Sequence, residues 1–145
     1  MNIAFLLVAA ALAGFAFWRL TRYFWLKIYY RWRGVQDVDA LSAHALRRTH
    51  SVPVLDVREP FEFEAAHIEG VMLIPLGQLA SRVGELEHLR QDTLLVVCRG
   101  GVRSAQACLI LDRLGFAAPR NLAGGMNDWK RHRLPYIAQA QPTAS

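Results

Sequence analysis

Leu94-Leu95-Val96-Val97-Cys98-Arg99-Gly100-Gly101-Val102-Arg103-Ser104 begins as a run of four apolar residues after Gln91-Asp92-Thr93. That is the pattern of a strand buried on both faces, as in a parallel sheet. The run breaks at a cysteine and two glycines. From Ser104 onward the apolar residues Ala107, Leu109, Ile110, Leu111 and Leu114 approach helical spacing. The reading is strand, tight loop, helix, with a thiol at the strand's carboxyl end, where open α/β sheets bind ligands.

The residue types suit chemistry at that place. The thiolate is the reactive form of cysteine, and a helix N-terminus or a nearby arginine favours it. Gly100 and Gly101 let successive backbone N–H groups turn inward as an anion-binding nest. The helix that follows adds its positive dipole end, and Arg99 and Arg103 add charge. The alternative is a buried cysteine closing a core strand, since free cysteine is among the most buried residue types. A glycine pair and two arginines within one short loop favour the chemical reading.

Cys98-Arg99-Gly100-Gly101-Val102-Arg103-Ser104 resembles the active-site loop of the rhodanese family of sulfurtransferases. Three further segments agree in order and spacing. They are Asp56-Val57-Arg58-Glu59-Pro60, His67-Ile68-Glu69-Gly70 followed by Ile74-Pro75, and Asn121-Leu122-Ala123-Gly124-Gly125 followed by Trp129. The resemblance covers roughly Val35 to Tyr136.

The 145 residues have room for one domain and an appendage. Hydrophobic residues make up 53%, and the excess is local: residues 1–18 carry no charged side chain. The net charge of +5 is local too. Arg19, Arg22, Lys27, Arg31 and Arg33 precede the first acid, Asp37, and the remaining 12 Lys and Arg balance 12 Asp and Glu. A neutral domain argues against nucleic acid, which needs a basic face. The basic N-terminal segment points to a membrane surface instead. Two cysteines, Cys98 and Cys108, are too few for a disulfide scaffold, and a working thiol is best kept in a reducing compartment.

Ile3 to Trp18 is uncharged and apolar, and Leu20 extends the run if Arg19 snorkels. Residues 3–20 therefore read as one transmembrane helix. Residues 23–33 interleave aromatic rings with cations, as an interfacial belt does. The positive-inside rule then sets a single-pass membrane protein with its catalytic domain in the cytoplasm. A cleaved signal peptide is the rival reading. It needs a positive n-region, and residues 2–8 contain no Lys or Arg, although Ala9, Ala11 and Ala13 supply small residues.

The expected organisation is an anchor and collar over 1–33, a domain over 34–137 and a disordered tail over 138–145. Within the domain, Val35 to Leu41 reads as a short strand and Ser42 as the cap of a helix through Arg48. Val52 to Val57 reads as a core strand, begun irregularly or near an edge because of Pro53. Pro60 opens a short helix, and Val71 to Ile74 is a strand. Leu76 to Leu89 reads as one amphipathic helix despite Gly84. The strand 94–97 and helix 104–114 follow, with Gly115 ending the helix. Asn121-Leu122 is a last short strand before a helix over 125–132. Strands alternating with helices predict a doubly wound parallel α/β sheet flanked by helices, and that is the fold the resemblance implies.

The resemblance also implies the chemistry. Cys98 would attack the outer sulfur of a donor such as thiosulfate and carry it as a persulfide. The cup of residues Arg99, Gly100, Gly101, Val102, Arg103 and Ser104 would hold substrate, and a thiol or cyanide acceptor would then take the sulfur. The partners are thus a small sulfur-donor anion and a thiol acceptor. No metal-ligand cluster appears, and this chemistry needs no cofactor.

Asp56 and Arg58 would support the site from the same sheet edge, or simply pair to fix a loop. His67 is a candidate base, but its place before a glycine turn favours a backbone hydrogen bond. Arg99 and Arg103 would steer and hold an anion, unless they are ordinary solvated arginines. Cys108 and Trp129 read as core, and Gly124-Gly125 as a close-packing point. Two other functions stay open. Cysteine phosphatases and arsenate reductases also place a Cys and an Arg around a loop, but with five intervening residues where this chain has four. A membrane-tethered binding module without catalysis is the other, and the presence of Cys98 weakens it.

Overall fold

The computed structural model describes residues 12–22, 24, 25, 28 and 34–139. In chain order the domain runs β1 (Gln36–Val38), α1 (Ala40–His50), β2 (Val54–Asp56), α2 (Pro60–Ala65), β3 (Ala66–His67), β4 (Met72–Leu73), α3 (Leu79–Arg82), β5 (Thr93–Val97), α4 (Val102–Arg113), β6 (Ala118–Leu122), α5 (Gly125–Arg131) and β7 (Ile137–Ala138). Five strands form a parallel sheet in the order β1-β6-β5-β2-β4. The expected parallel α/β sheet with helices on both faces is present.

β5 is the central strand, and its two faces feed two cores. Leu94, Val96 and Cys98 pack with Leu55, Leu86, Cys108 and Leu111 on the α4 face. Leu95 and Val97 pack with Ile68, Met126 and Trp129 on the face covered by α1 and α5. Period-two alternation with both faces buried is why the strand reads as an unbroken apolar run. Trp129 is buried, and its indole N–H donates to the Pro135 carbonyl at 2.9 Å, so its core role holds.

Several boundaries differ from expectation. The first strand ends at Val38 because Asp39, not Ser42, caps α1. Its carboxylate accepts the Ser42 N–H at 2.9 Å and the Ser42 hydroxyl at 2.7 Å. Hydrogen bonding to Ser42, the backbone N–H first, pulls the Asp39 carboxyl below its ordinary value of 3.8. β2 lies inside the sheet between β5 and β4, so Pro53 does not mark an edge. Pro53 precedes the strand and contributes only its carbonyl, which accepts the Leu95 N–H at 3.0 Å.

The single helix expected over 76–89 is three short pieces. Leu76–Gln78 and Val83–Leu89 are 3₁₀ turns on either side of α3. Leu79, Leu86 and Leu89 are still buried. Gly77 and Gly84 each weaken a helix by about 1 kcal/mol relative to alanine, and the apolar contacts form without one. β6 is longer than Asn121-Leu122, and β7 pairs antiparallel with β3. β7 takes in Ala138, which the expected organisation put in the tail; residues 140–145 lie outside the described ones.

Residues 12–22 are helical, with Leu12, Phe15, Phe17, Trp18 and Leu20 exposed. The rest of the expected span, residues 3–11, lies outside the described residues. Among the described residues no helix is long and apolar enough to cross a membrane.

Candidate active site

The register of the parallel strands brings the motifs to one edge. Asp56 at the end of β2 lies beside Val97, one residue before Cys98. The loop 98–101 leaves β5 there and enters α4 at Gly101, which sits at φ +93°. A side chain at Gly101 has no room: a Cβ would fall 1.9 Å from the Ala123 carbonyl oxygen. Gly125, at φ +57°, is equally confined, its Cβ position lying 2.4 Å from the Cys98 carbonyl oxygen. The close-packing role expected of the second glycine pair is thus seen, with α5 pressed directly against the loop.

That contact also settles which way the loop's polar groups face. The Cys98 carbonyl accepts the Met126 N–H at 2.8 Å, and the Arg99 carbonyl accepts the Asn127 N–H at 3.0 Å. The first turn of α5 thus takes carbonyls that a tight loop would otherwise leave unpaired. One loop N–H and one hydroxyl turn to the sulfur. Gly101 N–H donates to Cys98 Sγ at 3.1 Å, and the Ser104 hydroxyl donates at 3.2 Å. Cys98 is 1% exposed and Ser104 fully buried. The first-turn N–H groups of α4 have no partners within the helix, so its positive end faces the same sulfur.

An open depression of about 310 Å³ covers this loop, lined by Cys98, Arg99, Gly100, Val102, Arg103 and Asn127. Arg99 is exposed at its rim. Arg103 lines it but is not free: its two terminal nitrogens donate to the Glu62 carboxylate at 2.7 and 2.8 Å. These bonds from Arg103 hold the Glu62 carboxyl below its ordinary value of 4.5. Glu62 and Asn127 are the residues that sequence reasoning did not single out. Glu62 reads only as one of several acids on a short helix, and Asn127 follows a glycine pair without any motif of its own.

Asp56 and Arg58 form the structural pair. Arg58 donates to Asp56 at 2.6 to 3.0 Å and also reaches the carbonyls of Glu62 and Ala66 at 3.0 and 2.8 Å. Both side chains are buried, and together they fasten α2 to the end of β2. His67 is likewise structural. Its Nδ1 is 2.8 Å from the Phe63 carbonyl oxygen, and its ring stacks on Phe63 with centroids 3.9 Å apart. It does not line the depression. Cys108 is buried in the core on the α4 face, and burial pushes its thiol well up.

This geometry can hold a sulfur nucleophile and an anionic sulfur or oxygen bound to it. Similar chains exist. The Bacillus subtilis protein YrkF, provisionally named a sulfur carrier, is 42% identical over 79 residues, which are 54% of this chain and 42% of its own length. A sulfurtransferase of Allochromatium vinosum is 33% identical over 105 residues, 72% of this chain and 96% of that protein. The crystal structure of a rhodanese-related protein from Thermoplasma volcanium superposes with a TM-score of 0.65 at 30% identity, covering 72% of this chain and 99% of that one. Residues 39–132 match the model of the rhodanese-like domain, and the chain belongs to that family.

Proposed function

We propose that this domain is a sulfurtransferase that carries sulfane sulfur on Cys98. The observation behind it is the convergence of the Gly101 N–H and the Ser104 hydroxyl on Cys98 Sγ at the positive end of α4. In the first step the Cys98 thiolate attacks the outer sulfur of a sulfane donor, for example thiosulfate. A bond forms from Sγ to that sulfur, the donor's S–S bond breaks, and its electron pair leaves with sulfite. The persulfide left on Cys98 keeps one negative charge, which the Gly101 N–H, the Ser104 hydroxyl and the positive end of α4 would meet without reorganising. In the second step an acceptor thiolate or cyanide attacks the terminal sulfur and releases the Cys98 thiolate.

A sulfur donor suits the cup better than a phosphate ester does. The Arg103 nitrogens that face Glu62 are already engaged, so they do not offer the fork that binds a tetrahedral phosphate. Intact mass of the full chain in detergent, before and after thiosulfate, tests the proposal. A gain of one sulfur that cyanide removes, absent in Cys98→Ser, supports it. No gain from thiosulfate or any other sulfane donor refutes it.

The proposal extends to place. Residues 3–20 would anchor the chain in a bilayer with the domain in the cytoplasm, near a sulfur donor or acceptor that is itself membrane-bound. What supports this is the uncharged run, the exposed aromatic and aliphatic side chains of residues 12–22, and the basic residues that follow. Release of the chain from membranes by carbonate washing would refute the anchor.

A further inference from the structure

We propose that Glu62 is a positioning residue that sets the donor's charge preference: by clamping Arg103 it lowers the positive field over Cys98 and turns the site toward singly charged sulfane donors and away from dianions. This inference rests on the sulfurtransferase reading above.

The pair is built into the fold. Arg103 lies on the first turn of α4 and lines the depression over Cys98. Glu62 comes from α2, 41 residues away in sequence, and meets it with two hydrogen bonds of 2.7 and 2.8 Å. Its side chain is only 13% exposed. By contrast, Arg82–Glu85 and Arg90–Glu87 join neighbours on exposed surface, where ion pairs matter little.

Glu62 is also held from behind. Its carboxylate accepts the Glu59 N–H at 3.2 Å in a capping box. Its carbonyl accepts from Arg58, which the buried Asp56 fixes in turn. The carboxylate is therefore delivered to Arg103 by contacts running back to β2. The formal charge of Arg99, Arg103 and Glu62 together is +1, where the two arginines alone would give +2.

A charge at the mouth acts on a donor in proportion to the donor's own charge. Thiosulfate is a dianion and methanethiosulfonate a monoanion of similar size. With either, Sγ bonds the outer sulfur, the donor's S–S bond breaks, and sulfite or methanesulfinate leaves with the electron pair. Removing the Glu62 charge should favour the dianion by the square of the factor it gives the monoanion.

The test is steady-state kinetics of the full chain and of Glu62→Gln with both donors and cyanide as acceptor. Glutamine preserves the capping-box position, and a native circular-dichroism spectrum with a single cooperative melt checks the fold. The expected result is a KM lower by about tenfold for thiosulfate and about threefold for methanethiosulfonate, with kcat within about twofold for both. Adding Arg103→Gln to Glu62→Gln should abolish both gains. Equal KM changes for the two donors, or no change, overturn the role of Glu62 while the sulfurtransferase reading stands. If neither donor loads sulfur onto wild-type Cys98, both fall together.

Discussion

Gly101→Ala puts the loop geometry to its sharpest test. Gly101 sits at φ +93°, and a Cβ there would lie 1.9 Å from the Ala123 carbonyl oxygen and 2.7 Å from its carbon. The left-handed conformation costs an L-residue about 1–2 kcal/mol. Forcing an extra carbon against backbone costs typically about 1–3 kcal/mol more. The sum is about 2–5 kcal/mol. At about 4–6 °C per kcal/mol for a domain of roughly this size, the unfolding temperature should fall by about 8–30 °C. The movement that relieves the clash must also shift the Gly101 N–H, now 3.1 Å from Cys98 Sγ. Sulfur loading from thiosulfate should therefore slow even in the fraction that stays folded.

Gly100→Ala is the internal control. It lies one residue earlier in the same loop, without a positive φ, and the nearest atom to its Cβ position is Asn127 Nδ2 at 3.9 Å. Thermal scans and mass-monitored sulfur loading on the two variants separate the effects. A Gly101→Ala protein within about 1 kcal/mol of wild type, or no more perturbed than Gly100→Ala, would refute the argument that this loop is locked against β6 and α5.

Three further outcomes follow from the same contacts. Ser104→Ala removes the hydroxyl donor 3.2 Å from Sγ, and the rate of sulfur loading should drop about tenfold, the effect of one hydrogen bond to a charged group; single-turnover mass measurements would show it. Asp56→Ala leaves the buried Arg58 guanidinium without its carboxylate and should lower stability in urea by about 3–5 kcal/mol. Glu62 has its carboxyl depressed in the folded state by Arg103, so its stabilisation is complete above the ordinary value of 4.5 and is lost as pH falls through the lower, folded one. Urea midpoints from neutral pH down to about pH 3 should show that acid-side loss in wild type and a smaller one in Glu62→Gln.

The strand–loop–helix around Cys98 is legible in the residues alone. An apolar run of four, a glycine pair and helical spacing are local signals, and each follows from backbone sterics or burial on both faces of a strand. The alternation of strands and helices likewise determined the parallel sheet. Residues 76–89 carry two conflicting local signals, apolar spacing that favours a helix and Gly77 and Gly84 that weaken it, and only packing shows that Leu79, Leu86 and Leu89 are buried without a regular one. Nor could the sequence separate Asp39 from Ser42 as the cap of α1, since both residue types cap helices and only geometry chooses.

At the site, Cys98 and the glycine pair beside it are local features, while their surroundings come from packing. Arg103 reads from sequence as a free cation in the loop. Its partner Glu62 is 41 residues away, and no periodicity links a residue on α2 to one on α4. The confinement of Gly101 and Gly125 is equally non-local, because it arises where α5 and the end of β6 press on the loop. Local conformation is written in neighbouring residues, but the charge a substrate meets depends on side chains that only the packed sheet edge brings together.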